Sequence, residues 1–222
     1  MDDKTQWLNN FIADVVDGWM LKDLERLLHD IPHHPRKAGN CNFPIVLYVF
    51  ACIEFLGQLT PVTPINTKQP GYTQDSILGF IDDFFPDDFK QKIQPHRNRF
   101  VTIFRNGLSH NYFAKYAGVS RTENEPLWVN PEGMLVLDAD RFAEAFRTAI
   151  DNLKEAIKTD AQLTERMVDR YNTQYQQNLR FSTTPVITTT SVSTSSLAYP
   201  NMLKDIKTTT TLPLSPKAED EH

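Results

Sequence analysis

The stretch of the chain with the clearest chemical character is FRNGLSHNYF, which runs from Phe104 to Phe113. Within it, Arg105 precedes His110 by five positions. A guanidinium stays charged at every physiological pH, whereas an imidazole gains or loses its proton near neutrality. Cleavage of an RNA phosphodiester needs a fixed cation beside a group that moves protons, so these two residues form the candidate catalytic pair.

The residues around this pair predict a helix that begins at Pro95, because proline suits a first helical turn. At about 100° per residue, polar and apolar side chains separate onto opposite halves of that helix. The polar half carries Asn98, Arg99, Thr102, Arg105, Asn106, Ser109, His110 and Tyr112. The apolar half carries Phe100, Val101, Phe104 and Leu108. We therefore expect the apolar half to pack on the core and the polar half to face solvent.

The run Arg105-Asn106-Gly107-Leu108-Ser109-His110 fits the R-x4-6-H signature of the HEPN superfamily, including the polar residue directly after the arginine. The chain resembles that superfamily, and the resemblance implies a small helical bundle that acts in many members as a metal-independent endoribonuclease. Tyr112 extends the match to R-x4-H-x-Y, the form of HEPN toxins whose nucleotidyltransferase antitoxin can adenylylate the tyrosine. A stand-alone prokaryotic HEPN protein, connected with defence or a toxin–antitoxin pair, is the nearest resemblance.

The resemblance also implies roles for the motif residues. His110 would be the acid–base group in attack of a ribose 2′-oxygen on phosphorus, and Arg105 would stabilise the phosphate charge. Asn106 would fix the imidazole or contact phosphate, and Ser109 would orient Arg105. The products would be a 2′,3′-cyclic phosphate and a 5′-hydroxyl, with no metal or cofactor. HEPN nucleases generally dimerise, so we expect a homodimer whose two motifs form one cleft for RNA.

Alternatives remain open for the same residues. Arg105 and His110 could decorate the end of a helix, where the helix dipole favours a cation. The chain could also be a non-catalytic HEPN module that uses the motif helix for dimerisation or partner binding. Glu54 lies in an otherwise apolar helix and needs a partner if it is buried, for which Arg105 and His110 are candidates.

Net charge limits how RNA would be bound. The formal charge is −5, so an RNA-binding surface must be a local basic patch. Arg97 and Arg99, with Lys90 and Lys92 before them, are the candidate patch, although a solvated helix face is the simpler interpretation because acidic residues lie close by. His29, His33, His34 and Cys41 match no common zinc spacing, so no metal site is predicted.

The first residues and the most apolar run predict the cellular location of the protein. The first residues, MDDKTQWLNN, are acidic and polar, unlike a signal peptide. The segment 43–59 contains Glu54, and its uninterrupted apolar part falls short of the about 20 residues that a membrane span needs. We therefore expect a buried helix, no membrane contact and a cytoplasmic protein.

Hydrophobic periodicity predicts an all-α, HEPN-like helical bundle with a small β-hairpin insertion. Helices are expected over 4–31, with a bend or break at Gly18, then over 43–59, 72–85, from Pro95 through the motif, and from Asp138 or Asp140 to about 179. A bend is expected near Asp160, with Thr159 and Gln162 as a capping box. The hairpin pairs Leu127–Asn130 with Met134–Leu137 around a type I turn. Residues 1–180 form the predicted domain, and the Ser-, Thr- and Pro-rich residues 181–222 form a predicted disordered tail.

Overall fold

The computed structural model describes residues 3–31, 41–63, 69–111, 114, 116–121 and 125–176. These residues form a mainly helical fold with one small three-stranded sheet. Its α-helices are α1 (Asp3–Phe11), α2 (Lys22–His29), α3 (Asn42–Leu59), α4 (Tyr72–Phe84), α5 (Asp87–Ile93), α6 (Arg97–Phe100), α7 (Gly107–Asn111), α8 (Ala139–Thr159) and α9 (Ala161–Tyr171). The strands are β1 (Ala117–Ser120), β2 (Leu127–Val129) and β3 (Leu135–Asp138). The predicted tail and its boundary lie outside the described residues.

Several α-helices continue into one another through turns of different width. A π-helical segment, Ile12–Leu21, joins α1 to α2, so the chain does not break at Gly18 as the sequence suggested it could. A Cβ at Gly18 would lie 3.0 Å from the carbonyl oxygen of Ala13, five positions earlier, so glycine suits this wider turn. A second π-helical segment, Val101–Asn106, joins α6 to α7 inside the motif, and a third, Asn172–Gln176, follows α9.

A cluster of buried phenylalanines holds the motif helix against the bundle. The ring of Phe142 on α8 lies 4.9 Å from Phe50 on α3 and 6.1 Å from Phe100 on α6, measured between centroids. Phe100 in turn lies 5.5 Å from Phe104, one turn further along the motif helix. These side chains are essentially inaccessible to solvent. Burial of large aromatic side chains dominates core energetics, so this cluster fixes the helix that carries Arg105.

The hairpin is present, with one strand that the sequence did not reveal. β2 pairs antiparallel with β3, in a register that places Trp128 opposite Val136. Asn130 directs the turn: its side-chain Oδ1 accepts from the Met134 N–H at 2.8 Å, and its carbonyl accepts from Gly133. β1 adds to β3 in parallel on the other side, which gives the order β1-β3-β2. The predicted hairpin insertion is therefore one part of a three-stranded sheet.

Two aspartates begin the last two helices. The buried carboxylate of Asp138 accepts from the backbone N–H of Arg141 at the start of α8. Asp160 accepts from Gln162 and Leu163 at the start of α9, so the predicted bend is confirmed. The expected capping box was wrong in detail, because Asp160 rather than Thr159 is the cap; the Thr159 hydroxyl donates back into α8.

The most apolar helix, α3, lies at the centre of the bundle. Among the described residues it is the one helix long and apolar enough to cross a membrane by length and composition alone, and half of it is buried inside the fold. Its acidic residue, Glu54, is ion-paired to another helix. The prediction of a buried helix is therefore confirmed in part, for the half of α3 that lies inside the fold.

Gly57 lets α3 and α4 approach closely. A Cβ at this position would lie 2.0 Å from the carbonyl oxygen of Ser76 and 3.3 Å from the Cβ of Phe80. We expect Gly57→Ala to lower the free energy of unfolding by about 1–3 kcal/mol, because two backbones must separate. Urea unfolding followed by circular dichroism measures this loss.

Gly79 provides the matched control, because it lies inside α4 with open space where its Cβ would be. Gly79→Ala should raise the stability by about 0.5–1 kcal/mol through helix propensity. Equal effects of the two substitutions would contradict the close approach at Gly57.

Candidate active site

The motif lies on a helical segment that is buried on one side and exposed on the other. Arg97–Asn111 is helical throughout, after a single tight turn at Gln94–His96 that contains Pro95. The predicted apolar half is confirmed, because its four side chains, Phe100, Val101, Phe104 and Leu108, are all buried. Of the polar half, Asn98, Arg99, Thr102, Ser109 and His110 are exposed, and Arg105 and Asn106 are half-buried.

Arg105 is bound by a carboxylate from a different helix. Its Nη2 donates to Oε2 of Glu54 on α3 at 2.8 Å. The other carboxylate oxygen of Glu54 accepts from the Thr73 hydroxyl on α4 at 2.9 Å. The side chains of Arg105 and Glu54 are 24% and 14% exposed, so the pair lies at the edge of the core. Glu54 therefore has the partner that its place in an apolar helix required.

The side chain of the next residue, Asn106, binds the other terminal nitrogen of the Arg105 guanidinium. Nη1 of Arg105 donates to Oδ1 of Asn106 at 3.1 Å. A guanidinium carries five N–H groups, and within the described residues these two bonds engage two of them. The remaining N–H groups can bind an anion through charge-assisted hydrogen bonds. The structure thus presents a pre-oriented cation at the surface, held by α3 and, through Thr73, by α4.

His110 lies on the solvent side of α7, one turn after Asn106. Its imidazole is exposed and makes no hydrogen bond with the described residues. An exposed imidazole can exchange protons with a bound substrate or with water. The two candidate catalytic residues thus differ in setting: Arg105 is fixed at the edge of the core, and His110 is accessible.

Two residues to which the resemblance assigns supporting roles, Asn106 and Ser109, both bind Arg105 in the structure. Asn106 binds the Arg105 side chain, so its carbonyl oxygen is committed to the guanidinium. The Ser109 hydroxyl donates to the backbone carbonyl of Arg105 at 2.9 Å. Tyr112 lies outside the described residues.

Most of the basic residues before the motif are already paired. Arg97 forms a two-pronged ion pair with Asp82, with one contact at 2.6 Å. Lys90 pairs with Asp87, and Lys92 pairs with Glu125. Arg99 is exposed and, in the described part of the chain, has no ion pair. Of the predicted RNA-binding residues, Arg99 is therefore the more available cation.

The described residues contain no cluster of three or more His, Cys, Asp or Glu side chains that could hold a metal ion. His33 and His34, which the zinc interpretation would need, lie outside the described residues.

The fold and the site thus define a mainly α-helical protein with a supported arginine and an exposed histidine on one helix. No protein-family model matches this chain, and neither does any curated protein or solved structure.

Proposed function

We propose that this protein is a HEPN-type, metal-independent endoribonuclease, as the R-x4-H motif implies. The observation that carries the proposal is the bond between Arg105 and Glu54, which fixes a guanidinium at the surface of the helix that also presents an exposed His110. The mainly helical fold supports the same proposal.

The mechanism assigns one step to each side chain. An imidazole removes the proton of a ribose 2′-hydroxyl, and the 2′-oxygen attacks the adjacent phosphorus. Arg105 donates N–H bonds to the phosphate oxygens and stabilises the charge that develops there. The bond from phosphorus to the 5′-oxygen breaks, and a protonated imidazole supplies the proton to the leaving oxygen. The products are a 2′,3′-cyclic phosphate and a 5′-hydroxyl.

This chemistry needs one proton acceptor and one proton donor, and each motif supplies a single imidazole. A homodimer that brings two copies of Arg105 and His110 to one cleft provides both, which is the reason to propose one. We further propose a cytoplasmic protein without membrane contact, in a defence or toxin–antitoxin setting. A nucleotidyltransferase antitoxin is the proposed partner, and Tyr112 is the residue it would modify.

The test uses the full chain and single-stranded RNA of mixed sequence, under single-turnover conditions with excess EDTA. We expect fragments with a 5′-hydroxyl and a 2′,3′-cyclic phosphate, and no cleavage of the same sequence made as DNA. Sedimentation of the same sample should show a dimer. Intact RNA, or fragments with a 5′-phosphate, would refute the proposed chemistry.

A second function has a specific observation in its favour. Arg105 is engaged by Glu54 and Asn106 in the manner of a structural ion pair, which suits a non-catalytic HEPN module that dimerises or binds a partner through the motif helix. In that case the wild type would leave RNA intact, and Arg105→Ala would change only the oligomeric state.

A further inference from the structure

An aromatic groove is lined by one residue of α3, Phe55, and by residues of two other helical segments. Its volume is about 450 Å³, and its walls come from the π-helical segment Ile12–Leu21, from α3 and from the last helical residues. The residues that form it include Val15, Trp19, Met20, Phe55, Tyr171 and Tyr175. A volume of this size is typical of small-molecule and cofactor sites.

The rings of the groove form a continuous aromatic surface. Tyr171 and Tyr175 lie 5.6 Å apart between centroids, with their planes 32° from parallel. Phe55 meets the edge of Tyr175 at 5.0 Å. Trp19 stands at the rim with 55% of its surface exposed, which is high for the largest apolar side chain. These flat faces suit a flat ligand.

Tyr175 connects the groove with the Arg105 site. Its hydroxyl donates to Oε1 of Gln58 at 2.9 Å, and Gln58 lies one turn after Glu54 on α3. Burial raises the pKa of Tyr175 to about 12, and the nearby charge of Glu54 acts in the same direction. The phenol is therefore a neutral hydrogen-bonding group, near enough to the carboxylate that binds Arg105 for its pKa to be affected by that charge.

We propose that this groove binds an unpaired base of the RNA strand whose phosphate is held by Arg105. The inference rests on the proposed function and adds a base-binding subsite to it. Base stacking on aromatic side chains is the usual way in which proteins hold single-stranded RNA. In any nucleotide the base lies close to its phosphate, and adjacent residues of α3 serve the two places: Phe55 lines the groove and Glu54 binds Arg105.

The charge distribution favours base stacking over phosphate contacts as the main source of RNA affinity. The chain has a net charge of −5, and three of the four basic residues before the motif are bound to carboxylates. Phosphate contacts alone would therefore give weak affinity. Stacking is independent of charge, and removal of one stacking partner typically weakens binding about 10- to 100-fold.

The test measures binding of a fluorescein-labelled single-stranded RNA to the full chain in EDTA, in a His110→Ala background so that the RNA stays intact. Trp19→Ala should weaken binding about 10- to 100-fold. Val129→Ala is the matched control, because Val129 is similarly exposed, at 53%, but lies on the sheet. It should leave the affinity unchanged.

The outcomes separate this inference from the proposed function. Cleavage by the wild type together with unchanged RNA affinity in Trp19→Ala would overturn the groove and leave the nuclease standing. Weakened RNA binding in Trp19→Ala would support the groove even if the wild type failed to cleave. If Trp19→Ala binds RNA as tightly as the wild type but no longer dimerises, the groove binds a second copy of the chain. If Trp19→Ala binds RNA as tightly as the wild type but is cleaved faster by a protease after Gln176, the groove binds residues 177–222. Either of these last results overturns the proposal.

Discussion

His110→Ala is expected to reduce single-turnover RNA cleavage by about 10²- to 10⁴-fold, because that is the usual contribution of a positioned acid–base group. The substitution should leave the fold intact, since the imidazole is exposed and makes no hydrogen bond with the described residues. His29, exposed near the end of α2, offers the matched control. His29→Ala should cleave RNA at the wild-type rate.

Arg105→Ala should give a loss of about 10²- to 10³-fold by removing the group that stabilises charge on the phosphate. Arg105→Lys retains the charge and loses the planar array of donors, so we expect only partial recovery. Both rates are measured by gel electrophoresis of labelled RNA in EDTA, with sedimentation to confirm the dimer. If His110→Ala or Arg105→Ala remained dimeric and cleaved RNA at the wild-type rate, the substituted residue would be excluded from catalysis.

Glu54→Gln is expected to lower the cleavage rate about 10- to 100-fold while binding of RNA stays near the wild-type level. The amide can still accept from Thr73 and fills the same space, but it no longer provides the charge that orients Arg105. Misplacement of a catalytic group by about 1 Å can cost a factor of this size. Measurement of the single-turnover rate against RNA concentration separates the rate from the affinity.

Glu54→Ala should also destabilise the fold, by about 1–3 kcal/mol, because Arg105 is left at the edge of the core without its carboxylate. The surface pair Arg141–Glu144 on α8 is the matched control. Glu144→Ala should change stability by less than about 1 kcal/mol and leave cleavage unchanged, since exposed ion pairs contribute little. Equal effects at Glu54 and Glu144 would show that the Arg105–Glu54 pair at the edge of the core has no special role.

Local sequence patterns were sufficient to predict several elements. The apolar run of α3, the apolar periodicity of α8, the turn at Asn130–Gly133 and the bend at Asp160 are signals carried by nearby residues, and the structure confirms them. The separation of the motif helix into a buried and an exposed half was also predictable, because helix geometry alone determines it.

Other features depend on contacts that are distant in the sequence. β1 consists of Ala-Gly-Val-Ser, which carries no alternating pattern, and its existence depends on parallel pairing with β3. The π-helical turns at Val101–Asn106 were not predicted, since the polar and apolar residues there follow the ordinary α-helical spacing.

The helix α5 was not predicted, although its sequence carries a local signal. Its first residues are acidic and its last turn is basic, which is the charge order that the helix dipole favours.

Some residues of the candidate site could be predicted from local sequence, and others could not. The sequence indicated Arg105 and His110 by their spacing, and it indicated Glu54 by its isolation in an apolar helix. Thr73 and Tyr175 gave no such signal, because a hydroxyl on a helix has many uses. Their relation to Glu54 arises only from the packing of α4 and of the last helical residues on α3.

The ion pair that supports Arg105 has a consequence for the newly made chain. Glu54 and Arg105 are 51 positions apart, and they meet only when α3 and the motif helix are packed together. During translation Glu54 is therefore added to the chain 51 residues before its partner. A nascent or partly unfolded chain lacks the oriented guanidinium, so any harm to cellular RNA would wait until folding is complete.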